Sequence, residues 1–70
     1  MFDYKKLKLK ITEVFDTQRA FAIAMEMDLT SLNFRLNNKI EWKAPEMYRA
    51  CELLGIPLAE LPVYFFTLKV

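Results

Sequence analysis

The short length of the chain and the absence of any covalent or metal link most constrain its fold. Its 70 residues include one cysteine, Cys51, and no histidine, so an internal disulfide and a zinc site of thiolate and imidazole ligands are both excluded. A domain this small then depends on dense apolar packing, and 54% of its residues are hydrophobic. We therefore predict a single domain, residues 1–70, with one apolar core.

The same inventory argues against an enzyme. No histidine is present to activate Ser31, which is the only serine, or Cys51 as a nucleophile. Gly55 is the only glycine, so a glycine-rich phosphate-binding loop cannot form. Carboxylate pairs such as Glu13 and Asp16 are more typical of a solvated helix surface than of an acid–base pair. We expect no catalytic activity, no metal, no cofactor and no small-molecule substrate.

The distribution of charges and apolar residues favours a cytoplasmic location. No segment approaches the roughly 20 apolar residues that a membrane-spanning helix needs. Residues 1–10 are too charged for a secretory signal. The unpaired Cys51 suits a reducing compartment. We expect no membrane association.

Hydrophobic residues recur at helical spacing in the first half of the chain. The recurrence from Tyr4 to Phe15 predicts a first amphipathic helix. Thr17 is a favourable N-cap for a second short helix. Asp28 is a favourable N-cap for a third, which the two asparagines at 37–38 would end.

Proline and glycine delimit the second half. After a connecting loop at 40–44, Pro45 suits the first turn of a fourth helix, because its missing N–H would be unpaired there anyway. Gly55 is placed to end that helix. Pro57 and Pro62 then allow at most a short helical piece between them, before an apolar tail. The sequence therefore predicts an all-α fold of about five helices.

The junction between the second and third helices is the most informative part of the sequence. Only Glu26 and Met27 separate the end of one from the cap of the other, so the two helices must cross sharply. Ala22 is small enough to let their backbones approach, and Leu32 can pack back against it. Together with Gln18 at the start of the pair, this order resembles the helix-turn-helix of phage repressors and Cro-like proteins.

The resemblance extends over nearly the whole chain. The segments that carry it are 2–7, 17–22, 36–39, 42–43, 50–57 and 64–66. Together they resemble a family of small Cro-like helix-turn-helix proteins of temperate phages. The resemblance implies a small helix-turn-helix bundle working in a bacterial host cell.

The family pattern also implies a DNA-reading surface. In relatives, the residue matching Gln18 holds a phosphate at the start of the second helix. Four matching positions face the major groove and three meet the DNA backbone. In this chain the groove positions are Leu29, Thr30, Asn33 and Phe34, and the backbone positions are Asn37, Asn38 and Lys39.

This chain departs from that pattern in a consistent direction. Leu29 and Phe34 stand where a base reader needs hydrogen-bonding groups. Glu26 replaces the usual turn glycine, and with Asp28 it adds carboxylates near the expected phosphates. Ala44 replaces a polar residue that is common in the family. The net charge is only +1 and the pI near 7.8, whereas DNA-binding domains typically have a pI above about 9.

The departures favour a protein-binding face over a base-reading face. A cluster of exposed Leu29, Phe34 and Trp42 would form an apolar patch of the kind that marks an interaction site. The other interpretation is that Phe34 and Trp42 simply cover the small core. Within the resembling class, antirepressors, or modulators of repression, bind the DNA-binding domain of the phage repressor and block its operator contacts. The implied partner-binding residues are Leu29, Phe34, Trp42, Met27, Thr30 and Asn33.

A Cro-like repressor that binds operator DNA directly as a dimer is the alternative function. Steep salt dependence of DNA binding would favour it. A complex that joins this protein, the repressor and DNA is a third possibility. The residues that would contact DNA are Gln18, Thr30, Ser31, Asn33, Arg35, Asn37, Asn38 and Lys39.

Overall fold

A computed structural model describes all residues, 1–70, and confirms the predicted all-helical fold. It has five α-helices and a short 3₁₀ turn, Leu58–Glu60, before the last of them. The helices are α1 (Lys5–Phe15), α2 (Gln18–Ala24), α3 (Leu29–Leu36), α4 (Ala44–Leu54) and α5 (Leu61–Phe65). None of them combines the length and apolar character that crossing a bilayer requires.

The predicted N-caps are correctly placed, but only one of the two makes its cap hydrogen bond. The Thr17 hydroxyl accepts a hydrogen bond of 3.1 Å from the backbone N–H of Ala20, in the first turn of α2. Asp28 has the extended backbone of an N-cap residue before α3, yet its carboxylate accepts no cap hydrogen bond. Asp28 therefore leaves its charge available at the surface.

Helix α4 begins one residue earlier than predicted and ends as predicted. Pro45 lies in its first turn, after Ala44, where no intrahelical N–H bond is required. Gly55 ends the helix in the left-handed region with φ +68°, which glycine adopts without steric cost. The N–H of Ile56 then donates to the carbonyl of Cys51 at 2.9 Å, as in a Schellman-type ending.

The predicted short helical piece between Pro57 and Pro62 is present as the 3₁₀ turn Leu58–Glu60, but the prediction that helix stops before the apolar tail was wrong. Pro62 does not end a helical piece but lies in the first turn of α5, which continues to Phe65. The physical reason is the same as at Pro45, because the first turn of a helix needs no N–H donor. The expected apolar tail is therefore largely helical, and it places Phe65 in the core.

One apolar core joins all five helices. It contains fifteen buried residues, and no polar or charged residue is buried with them. The buried residues are Tyr4, Leu7, Ile11, Phe21, Ala22, Met25, Leu32, Leu36, Trp42, Ala50, Cys51, Leu54, Ile56, Leu61 and Phe65. Burial raises the pKa of the Cys51 thiol, which keeps it in its unreactive protonated form.

The two chain ends lie side by side and are tied to the start of the loop after α3. An isolated antiparallel bridge pairs Phe2 with Leu68. On the other edge of Phe2, the amide side chain of Asn38 accepts from the Phe2 N–H at 3.0 Å and donates to the Phe2 carbonyl at 2.8 Å. The Asn38 side chain thus pairs with the Phe2 backbone as a neighbouring strand would, and it fixes the N-terminal segment to the start of the loop after α3.

The α2–α3 connection is a tight turn at Glu26, the position at which the helix-turn-helix resemblance implies glycine. Glu26 adopts φ +59° there, a left-handed conformation that costs energy for any residue with a Cβ. The Met27 N–H donates to the Ala22 carbonyl at 2.9 Å, which closes the turn. Because α2 packs on α3 beside this turn, it fixes which side of α3 faces away from the core.

Candidate functional site

The side of α3 that faces away from the core is the candidate functional site. Buried Leu32 and Leu36 hold the opposite side of the helix in place. We call the outward surface the α3 face, and it consists of Met27, Leu29, Thr30, Asn33 and Phe34. Phe34 is 40% exposed, whereas Leu29 and Met27 are half-buried and pack against the edge of the core. The face is therefore apolar over much of its area, with Thr30 and Asn33 as its polar groups.

Trp42 does not belong to this face, and its predicted role as an exposed contact residue was wrong. The residue is only 6% exposed, and its ring meets that of Phe65 edge-on at 5.1 Å between centroids. Its indole N–H is enclosed and has no acceptor. The alternative interpretation, in which Trp42 covers the core, is the correct one. A 70-residue domain has few large side chains with which to close its core. Trp42 is one of them, and α5 places Phe65 against its ring.

Arg35, a predicted DNA contact, is engaged within the protein instead. Its Nε and Nη2 donate to the two carboxylate oxygens of Glu46 at 3.0 and 2.9 Å, and its Nη1 donates to the Ser31 carbonyl at 3.0 Å. A bidentate pair of this kind is among the stronger charged hydrogen-bond geometries. The pair joins α3 to the start of α4 and removes a cation from the surface that DNA would approach.

The carboxyl group of Glu46 has a lowered pKa as a consequence. Burial of the carboxyl would by itself raise the pKa. The hydrogen bonds from Arg35 and from the Lys43 backbone N–H, at 2.9 Å for the latter, together with the charges of both side chains, outweigh burial and lower the pKa below its ordinary value. The charged form is thus stabilised by the fold.

The Glu46→Gln variant should lower the stability of the domain at neutral pH and lose that effect in acid. A carboxyl whose pKa is lower in the folded state contributes stability above its unfolded pKa, and that contribution disappears as the pH falls through the folded pKa. Thermal unfolding of both proteins from neutral pH to about pH 3 measures this. The two stability curves should converge at the acid end. A pH-independent difference would show that the glutamine change acts through packing instead.

The predicted backbone-contacting residues are also used inside the fold. Both polar atoms of the Asn38 amide are bonded to the Phe2 backbone, so a DNA contact by this side chain would compete with those hydrogen bonds. Asn37 is exposed, but its Nδ2 donates to the Asn33 carbonyl at 2.8 Å at the end of α3. The ammonium of Lys39 lies 5.8 Å from the centre of the Phe34 ring, where it borders the α3 face.

The remaining polar candidates do not form a basic surface. Gln18 and Ser31 are half-buried, and Thr30 is exposed. The turn beside them is rich in carboxylates, since Asp28 has no ion-pair partner and Glu26 is paired at 3.0 Å with the exposed Arg49. No group of three potential metal ligands lies together anywhere in the chain. The neighbourhood of α3 is thus largely apolar, with Asp28 as an unpaired carboxylate and Lys39 as a cation at its border.

Sequence reasoning missed two exposed aliphatic residues near this region. Ile23 on α2 is 71% exposed and Ile40, after α3, is 39% exposed. Ile23 is the residue after Ala22, so it lies outside the buried stripe of α2. That position could have predicted its exposure from the sequence. Ile40 follows Lys39 closely, and both of their backbone N–H groups donate to the Phe34 carbonyl.

The fold and the site together define a small all-helical protein with an apolar face on α3 and few free cations around it. Residues 1–68 match a family described as a protein family of unknown function, DUF739, and the chain belongs to that family. No curated protein matches the sequence.

Among solved structures, the chain is similar to the solution structure of the modulator of repression (MOR) of the temperate bacteriophage TP901-1 from Lactococcus lactis. The sequences are 40% identical, and the alignment covers 99% of this chain and 93% of that one. The TM-score is 0.84, so the helices are arranged alike. This similarity confirms the resemblance to small phage regulators that the sequence indicated.

Proposed function

We propose that this protein is a modulator of repression in the lysis–lysogeny switch of a temperate phage. It acts in the cytoplasm of the bacterial host as an antirepressor. In this role it binds the DNA-binding domain of the phage repressor through the α3 face and blocks or remodels operator binding. The α2–turn–α3 pair serves as a helix-turn-helix scaffold whose outer surface contacts protein rather than bases. Similarity to a phage modulator of repression over the full length supports this role.

The composition of the α3 face is the observation that carries the proposal. A helix that reads bases needs hydrogen-bonding side chains on its outward surface, and arginine is the commonest of them. Here that surface presents Phe34 and Leu29, and the one arginine of α3 is held by Glu46. Aromatic side chains on an apolar patch are typical of protein-binding sites.

The charges beside the face fit a repressor surface better than they fit DNA. A repressor's DNA-binding domain carries lysine and arginine side chains that contact phosphates. The unpaired Asp28 would attract such side chains and repel phosphates, whereas the charge of Glu26 is already paired with Arg49. An apolar centre bordered by the Asp28 carboxylate thus complements the surface that the repressor uses to hold its operator. The proposal includes no catalytic activity.

Mobility-shift assays on the switch-region DNA of the same phage test the function. The three samples contain this protein alone, the repressor encoded beside it in the phage genome alone, and both proteins together. We expect no shift with this protein alone at sub-micromolar concentration, and release or remodelling of the repressor–operator complex when both are present. A shift by this protein alone, with affinity falling steeply as salt rises, would instead support a Cro-like operator binder.

A further inference from the structure

The positive charge of this protein is concentrated on one helix that lies outside the α3 face. Helix α1 carries four lysines and one glutamate, whereas the remainder of the chain has six basic and eight acidic residues. The net charge of only +1 is therefore the sum of a positively charged α1 and a negatively charged remainder of the chain. Charge asymmetry of this kind favours partners of opposite charge at different places on the molecule.

A shallow groove lies along the exposed side of α1 where it meets α5. Its volume is about 310 Å³, and its lining residues are Asp3, Lys5, Lys6, Leu9, Val63 and Thr67. Leu9 is 62% exposed and Val63 is 40% exposed, so both apolar side chains face solvent in the free protein. The groove is at the lower limit of small-molecule pockets, and its size suits a large side chain presented by another chain.

Leu9 and Val63 form the apolar floor of the groove, and the polar side chains of Asp3 and Thr67 beside it already form hydrogen bonds within the protein. The Asp3 carboxylate accepts from the Lys5 backbone N–H at 2.9 Å, so it is used at the start of α1. The Thr67 hydroxyl donates to the Val63 carbonyl at 2.6 Å. Lys5 and Lys6 form no ion pair within the chain, and both are exposed. Two free ammonium groups thus border two exposed aliphatic side chains.

We propose that this groove is a second protein-docking surface, which binds an acidic amphipathic segment of a partner protein. An aliphatic side chain of the segment packs on Leu9 and Val63, and its carboxylates pair with Lys5 and Lys6. None of the lining residues belongs to α2 or α3, so the groove and the α3 face share no residue. The inference does not depend on the function proposed for the α3 face.

The apolar floor favours a protein over the other anionic partners. Phosphate groups of a nucleic acid would pair with the lysines but would leave Leu9 and Val63 uncovered. A membrane-surface helix needs a broad apolar face directed at the lipid. The apolar stripe of α1 is instead buried in the core through Leu7 and Ile11, which leaves Leu9 as the only apolar residue of α1 that lines the groove.

Titration with defined peptides tests the proposal. The probe is a synthetic peptide of about 16 residues, long enough to form an isolated helix, with leucines on one face and glutamates beside them. The matched peptide has lysine at every glutamate position. We expect saturable binding of the acidic peptide alone, with a dissociation constant below about 100 µM, and chemical-shift changes in NMR spectra centred on Leu9, Val63 and Thr67.

Surface variants of the same domain distinguish peptide binding in the groove from general electrostatic attraction between the peptide and the protein. Leu9→Ser should weaken peptide binding at least about tenfold, and Lys6→Glu about fivefold. The matched controls are Val14→Ser, another exposed aliphatic of α1, and Arg19→Glu, an exposed cation of α2 that forms no ion pair, and both should stay within about twofold. Phe34→Ser should also leave peptide binding unchanged, which distinguishes this surface from the α3 face.

Three results would overturn the proposal. The first is no saturable binding of the acidic peptide, and the second is equal binding of the lysine peptide. The third is tighter binding, at the same residues, of a DNA duplex or of vesicles that contain anionic lipid. Each would show that the groove does not select an acidic protein segment.

Discussion

Replacing Trp42 with alanine should destabilise the domain by about 3–5 kcal/mol, the usual cost of removing a large aromatic side chain from a core. Trp42 is almost fully buried and contacts Phe65 edge-on at 5.1 Å. Small domains have only about 5–15 kcal/mol of total stability, and one of this size without a disulfide is expected at the low end. The variant should therefore be partly or wholly unfolded, which thermal and urea unfolding followed by far-ultraviolet circular dichroism would show.

Two further variants make this result specific. Tyr48→Ala removes an aromatic ring that is 57% exposed on α4, and it should change the stability by less than about 0.5 kcal/mol. Trp42→Phe keeps an aromatic ring in the core and deletes an indole N–H that has no acceptor, so it should cost much less than alanine. If Trp42→Ala stayed fully folded and lost only partner binding, Trp42 would belong to the interaction face after all.

The helices could be predicted from the sequence because local rules determine them. The apolar stripe of α1, the Thr17 cap and the ending at Gly55 each depend on a few neighbouring residues, and each is present in the structure. Pro62 shows the limit of such reasoning. A proline is tolerated in the first turn of a helix but interrupts a helix at later positions. Pro62 lies in the first turn of α5, and this arrangement is favoured by a tertiary contact, the packing of Phe65 in the core.

The candidate site was harder to predict because exposure and pairing are set by distant residues. Trp42 had the composition of an interface residue, and only the contact with Phe65, more than twenty residues later in the chain, makes it a core residue. Arg35 and Asn38 had the character of DNA contacts, yet Glu46 and the Phe2 backbone bind them. Nothing in the spacing of these residues shows such partners.

Replacing Phe34 with serine should weaken binding to the DNA-binding domain of the phage repressor by at least about 30-fold. Phe34 is the largest exposed side chain of the α3 face, and aromatic contacts at the centre of an interface commonly contribute about 2 kcal/mol or more. Titration calorimetry with the isolated repressor domain would measure the change. Leu29→Ser should act in the same direction, with a smaller effect because Leu29 is already half-buried.

Tyr48→Ser is the matched control, because Tyr48 is a similarly exposed aromatic residue on α4 and lies outside the α3 face. Its affinity should stay within about twofold of the parent protein. Retained affinity in Phe34→Ser, with the fold intact, would remove the α3 face as the repressor-binding surface. A second pattern would be equally informative. If Gln18→Ala and Lys39→Ala abolished a DNA shift while Phe34→Ser did not, the α2–turn–α3 pair would be reading an operator. The apolar face would then serve only to complete the core of a very small domain.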